Sequence, residues 1–245
     1  MAVDVGDWVK KKNGSERGVV KSKKRHWANV RWIGERRASA CSLRSLIPCN
    51  APRALVLEGN LDSNLGSTRS EESVLRTWLG SQGFQLAYKN IHTIEDIEVI
   101  ASAIGSNKPY FVHISCHGDY DKVNGPYIIL APRSNGSKNR IYLNDPKTIS
   151  IFKNAFEGMP ILFSACLLGC FKSDMESFQK NANIGKIAAF TRVVYDHECM
   201  LFELLIYQGI LVQKYSFEIA VKTAEDTLRK VGIKGPQGKT FVRVF

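Results

Sequence analysis

Tyr110-Phe111-Val112-His113-Ile114-Ser115-Cys116-His117-Gly118 is the stretch that decides the fold. Aromatic and β-branched residues fill it up to Ser115, and a histidine followed by glycine closes it. That is the form of a short strand buried on both faces of a parallel sheet. A second run, Ile161-Leu162-Phe163-Ser164-Ala165-Cys166, has the same form and ends in a cysteine. In an open parallel sheet, reactive groups gather just beyond the carboxyl ends of the strands. The two runs place His117 and Cys166 there.

Working outward, strand and helix signals alternate. Ala54–Leu57 is a nearly all-apolar strand, and Ser70–Gly80 a helix with Val74, Leu75, Trp78 and Leu79 on one stripe. Phe84–Tyr88 is the next strand. Thr93–Ile104 is a helix with Thr93 as its cap and acidic residues in its early turns. Ile187–Thr191 reads as a further strand, and His197–Gly209 and Ser216–Val231 as closing helices. This alternation predicts an α/β fold, a mostly parallel sheet with helices on both faces. Asp119–Tyr142, rich in Gly, Asn, Ser and Lys, reads as a loop able to rearrange, as does Arg192–Asp196.

The first fifty residues differ. Short alternating strands at Asp7–Val9, Gly18–Val20, Ala28–Ile33 and Leu43–Ile47 are separated by turn signals at Asn13-Gly14 and Gly34. They predict a small all-β barrel. Pro48-Cys49-Asn50-Ala51-Pro52 reads as a linker, which divides the chain into units 1–50 and 53–245. The net charge of +11 is concentrated in the first unit, whose 12 Lys/Arg and 4 Asp/Glu leave it at +8. Such a face suits an anionic partner. Lys10-Lys11-Lys12 and Lys21-Ser22-Lys23-Lys24-Arg25-His26-Trp27 combine charge with aromatics, so nucleic acid is a candidate ligand of residues 10–37. A solvated charged face or a protein-binding barrel gives the same pattern.

Six cysteines over 245 residues are too sparse for a disulfide scaffold. Cys166 and Cys170 stand as C-x3-C, but no second ligand pair with finger spacing follows, so no metal and no cofactor is expected. No apolar stretch reaches membrane-spanning length. Met1-Ala-Val-Asp4 lacks a basic-then-apolar leader pattern, and the expected location is the cytoplasm.

The chemistry of the two strand ends is that of a thiol beside a base. A thiol attacks as thiolate, and an imidazole can take its proton and later protonate a leaving amine. Gly118, without a side chain, lets its N–H approach a developing oxyanion together with the Cys166 N–H. His113 shares a strand face with Ser115 and His117 and reads as core or cleft lining. Cys116 reads as packing, and Cys170 as a buried thiol.

Ser115-Cys116-His117-Gly118 resembles the histidine–glycine motif of caspase-like cysteine peptidases. Ser164-Ala165-Cys166-Leu167-Leu168-Gly169 resembles the S-A-C-x-x-G motif of their CHAT branch, which includes separase relatives. The two residues are 49 apart, close to the caspase spacing of about 50. The Q-A-C-x-G form of true caspases is not met. Ala188–Asp196 and Ser216–Ala220 resemble the strand, specificity loop and last helix of the branch. The N-terminal Gly6-Asp7-x-Val9, Gly18-Val19-Val20, Val30-x-Trp32 and Leu43-x-x-Leu46 resemble SH3-like or KOW-type barrels.

The resemblance implies a cysteine endopeptidase working through a His117–Cys166 dyad and an acyl-enzyme. It also implies an effector role in bacterial antiviral defence or cell death, held in check by a partner or signal sensed through the barrel. Asp196 would receive a basic P1 side chain, whereas Arg192 would favour an acidic one. Asp119 is a further candidate for the same cleft. Competing expectations are a caspase-like fold that binds without cleaving, and an acyl transferase or hydrolase acting on a non-peptide substrate.

Overall fold

The computed structural model describes residues 3–14, 17–32, 37–49, 53–59, 71–82, 84–104, 108–132 and 138–245. Ser70, Ile33 and Gly34, and the linker positions 50–52, lie outside them.

Near the N-terminus, β1 (Trp8–Lys11), β2 (Arg17–Lys23), β3 (Trp27–Trp32), β4 (Ser39–Ser42) and β5 (Leu46–Pro48) form an antiparallel sheet in the order β4-β3-β2-β1-β5. Alternation sets its faces. In β3, Ala28, Val30 and Trp32 are buried while Trp27, Asn29 and Arg31 face out. With Val3, Val9, Val20 and Leu46 they build a core of their own. The Gly14 N–H donates to the Lys11 carbonyl, forming the expected turn. Two strand expectations change. Ser39–Ser42 is a strand that its small polar residues concealed, and Leu43–Ser45 is a 3-10 turn. Pro48 belongs to β5 and is paired with Val9, so the strand runs into the expected linker.

The larger part is mixed α/β. Its elements are β6 (Arg53–Gly59), α1 (Glu72–Ser81), β7 (Gln85–Ile91), α2 (Ile94–Ile104), β8 (Val112–Ser115), β9 (His117–Asp121), β10 (Gly125–Pro132), β11 (Lys138–Tyr142), α3 (Pro146–Phe156), β12 (Ile161–Ser164), α4 (Lys172–Asn181), β13 (Ile187–Phe190), α5 (Asp196–Tyr207), α6 (Phe217–Lys230) and β14 (Val242–Val244). A six-stranded sheet runs β14-β13-β12-β8-β6-β7, parallel except for β14. One face packs α2, α3 and α4 through Ile97, Phe152, Phe156 and Phe178. The other packs α1, α5 and α6 through Leu75, Phe202, Tyr207 and Leu228. The central strands therefore read as unbroken apolar runs, as burial on both faces requires.

Residues 119–132 and 138–142 are not a loop, a correction to the sequence reading. β9, β10 and β11 form a separate antiparallel sheet in the order β11-β10-β9, although 133–137 lie outside the described residues. The apolar run Tyr127–Leu130 drives it: all four side chains are buried, and Ile128 and Leu130 join the main core. Helices α3 and α4 were also unforeseen. Asp145 caps α3 by accepting from the Lys147 and Thr148 N–H groups at 2.7 and 3.2 Å, with Pro146 at its first position. No described helix is long and apolar enough to cross a membrane.

Candidate active site

Strands β8 and β12 pair in parallel with Ser115 opposite Ser164, so their carboxyl ends lie side by side. The Cys116 N–H continues the ladder to the Ser164 carbonyl at 3.2 Å. After Cys116 the chain changes sheets, and His117 opens β9, paired with Ile129 of β10. Gly118 lies tight against the neighbouring strand end. A Cβ placed there would stand 2.6 Å from the Cys166 carbonyl oxygen and 3.0 Å from the Ala165 Cβ. The start of β9 and the cysteine turn are thus in backbone contact. His117 is exposed and Cys166 half-buried, so both are reachable from solvent.

Local geometry shapes the cysteine turn. Leu167 takes a left-handed conformation, φ 65°, and the Leu168 N–H returns to the Cys166 carbonyl at 2.8 Å. The Leu167 N–H donates to the Arg192 carbonyl, tying the turn to the chain after β13. Gly169 then passes under β13, where a Cβ would stand 2.4 Å from the Ala189 carbonyl oxygen. The glycine in Ser164–Gly169 is a packing requirement.

The three specificity candidates fare differently. The Arg192 guanidinium is committed to its own neighbourhood. It donates to both oxygens of Glu198 at 2.9 and 2.5 Å and to the Lys234 and Val193 carbonyls, and it stacks over Phe241. That engagement argues against its receiving an acidic side chain. Asp196 is exposed and is the first residue of α5 rather than its cap, which falls at Tyr195. Asp119 sits within β9, where its carboxylate accepts from the Tyr120 N–H and the Tyr127 hydroxyl. Cys170 is exposed, against expectation, with its thiol donating to the Thr191 carbonyl.

Beneath the strand ends lies a polar cluster that the sequence reading missed. His113 and Glu203 are fully buried, and Glu71, just before α1, is 7% exposed. The Glu71 Oε1 accepts from Ser115 at 2.9 Å, the Glu203 Oε1 accepts from Ser164, and His113 Nδ1 is 3.1 Å from the Tyr207 hydroxyl. Burial, then the Glu203 charge, pushes the Glu71 carboxyl up to about 8. Burial alone would lower the His113 imidazole, but the Glu203 carboxylate raises it on balance. In turn His113 outweighs burial and lowers Glu203. The one sequence signal was Glu203 itself, a lone carboxylate within the apolar helical run Met200–Ile206. Cys116 and Cys199 are packed thiols that burial pushes well up.

No family model and no curated protein matches this chain. Among solved structures, a β-glucosidase (D2-BGL) from Chaetomella raphigera is similar over 56% of this chain and 21% of its own, at 11% identity and a TM-score of 0.31. The chain thus spans about a fifth of that enzyme, and likeness at this level carries no argument about fold family or activity.

Proposed function

We propose that the chain is a cysteine endopeptidase of the caspase-like, CHAT-related kind, with residues 53–245 as the catalytic unit. The observation that carries this reading is the backbone contact of Gly118, at the start of β9, with Cys166, at the carboxyl ends of two paired parallel strands. His117 takes the Cys166 thiol proton, and the thiolate attacks the scissile carbonyl. The Gly118 and Cys166 N–H groups stabilise the oxyanion. His117 returns the proton to the departing amine, and water hydrolyses the acyl-enzyme with His117 again as base. Asp196 remains the candidate for P1 recognition, favouring basic side chains.

Residues 1–50 act in this reading as an SH3-like sensor module. Trp27 is 56% exposed among exposed Lys21, Lys24 and Arg25, which favours an anionic partner, nucleic acid foremost. A cytoplasmic effector in antiviral defence or cell death is the setting this combination suits. The test is cleavage of a peptide library by the wild type and by Cys166→Ala, with and without nucleic acid. Sequence-dependent cleavage lost in the variant is expected. Equal turnover by the two proteins would sink the dyad.

A further inference from the structure

We propose that Glu71, His113 and Glu203 form a buried site for one divalent transition-metal ion, Zn2+ foremost. Each residue offers one ligand atom, and the three lie within 4.8 Å of one another. Three atoms of the cluster, Glu71 Oε2, His113 Nε2 and Glu203 Oε2, are buried without a hydrogen-bond partner. His113 Nε2 is 3.9 Å from Glu71 Oε2 and 3.3 Å from Glu203 Oε1. Leaving three such atoms unsatisfied is costly. Zn–N and Zn–O bonds of about 2.0–2.2 Å in tetrahedral geometry put ligand atoms roughly 3.3–3.6 Å apart. A small rotation of either glutamate closes the set around an ion.

The other half of each ligand group carries the support that metal ligands have. The second oxygens of Glu71 and Glu203 are held by the Ser115 and Ser164 hydroxyls, and His113 Nδ1 by the Tyr207 hydroxyl. In the tautomer whose Nδ1–H donates to Tyr207, the Nε2 lone pair is left for an ion in the cluster. Glu58 adds a third acidic residue, its carboxylate accepting from the Tyr88 hydroxyl and standing 3.5 Å from the Glu71 N–H. A divalent cation would offset the charge of these carboxylates in a dry interior. One imidazole with two carboxylates suits Zn2+, and Mn2+ or Fe2+ less selectively.

The ligands come from the start of α1, from β8 and from α5, so the ion joins three elements on one sheet face. Its supporting serines lie two residues before His117 and Cys166. Metal occupancy therefore sets the position of both strand ends. This role is independent of the peptidase reading.

The experiment uses the full chain, reduced and chelator-treated, with uptake of Zn2+ and Co2+ followed by elemental analysis, visible absorption and thermal unfolding. One ion per chain is expected, with a rise in Tm reversed by chelator. The Co2+ spectrum should lack a thiolate charge-transfer band, because the ligands are nitrogen and oxygen. Glu71→Gln and Glu203→Gln should weaken binding by about 100-fold or more, Ser115→Ala by about 10–100-fold, and Cys166→Ala not at all. If Glu203→Gln fails to fold, Glu71→Gln and Ser115→Ala carry the test from the edge of the cluster. Three results overturn the proposal: no uptake by the wild type, affinity indifferent to Glu71→Gln, or a thiolate band. Stabilisation by benzamidine that Glu71→Gln abolishes, without metal uptake, overturns it too and makes the cluster a pocket for a basic side chain.

Discussion

His117 is exposed at the first position of β9, and Cys166 is half-buried two residues beyond β12, whereas Cys116 and Cys199 are packed in the two cores. Electrophiles should therefore discriminate among the thiols. At neutral pH, iodoacetamide should modify Cys166 well before Cys116 and Cys199, whose thiols burial holds in the protonated form. Peptide mapping after timed quenching reads this order, and His117→Ala should slow labelling at Cys166 alone. Early modification of Cys116 would contradict the packing described. Gly118 gives a second test. An alanine methyl 2.6 Å from the Cys166 carbonyl must push the start of β9 and the cysteine turn apart. In the proposed peptidase, Gly118→Ala should lower kcat/KM by about 100-fold, the scale of a misplaced reacting group, with a far-UV spectrum like the wild type's. His117 and Cys166 stood out as candidates in the sequence because each follows an apolar run as a chemically distinctive residue, and Gly118 because it follows the histidine. The buried Glu71 and Glu203 were not. Their meaning depends on α1 and α5 meeting over His113, and nothing local announces that meeting.

At the scale of elements, the start of α5 depends on one ion pair. The Arg192 hydrogen bonds hold the Glu198 carboxyl below its ordinary value, against the opposing effect of burial. A depressed folded value means that this stabilisation is full above the ordinary carboxylate pKa of about 4.3 and is lost as pH falls through the folded one. Glu198→Gln should accordingly cost about 1.5–3 kcal/mol at pH 7, the scale of hydrogen bonds to a charged group. The gap should shrink progressively below about pH 4. Urea unfolding at several pH values measures it, and a gap independent of pH would refute the assignment. Helices with end signals were readable. Thr93 and Asp96 cap α2 reciprocally, each accepting from the other's N–H, and Ser216 caps α6. Helix α3 carried an equally plain signal in Asp145-Pro146 that the loop-like composition before it obscured. Helix α4 follows Phe171 with no side-chain cap, and only its packing through Met175 and Phe178 identifies it.

Over the whole molecule, charge and chemistry are separated along the chain, with the basic excess in the first fifty residues and the Cys–His pair in the rest. The partner proposed for the basic part is measurable without any cleavage. Single-stranded oligonucleotides should bind with a log–log salt slope of about −0.7 per phosphate contacted. Trp27→Ala should weaken binding by about 1–3 kcal/mol, as for loss of a stacking platform. A salt-independent affinity, or none, would direct attention to a protein partner. What the sequence by itself determined is the α/β class and the two parallel strands, β8 and β12, that precede His117 and Cys166. Those follow from local periodicity and from the chemistry of single residues. That His117 opens a strand of another sheet was not readable there. Only the tertiary structure decided that β9, β10 and β11 form a second sheet, that Arg192 is committed to Glu198 and Phe241, and that three distant residues converge beneath the strand ends. Each depends on which segments become neighbours. Burial then turns ordinary surface residue types into coupled, unsatisfied groups, and no window of sequence contains that information.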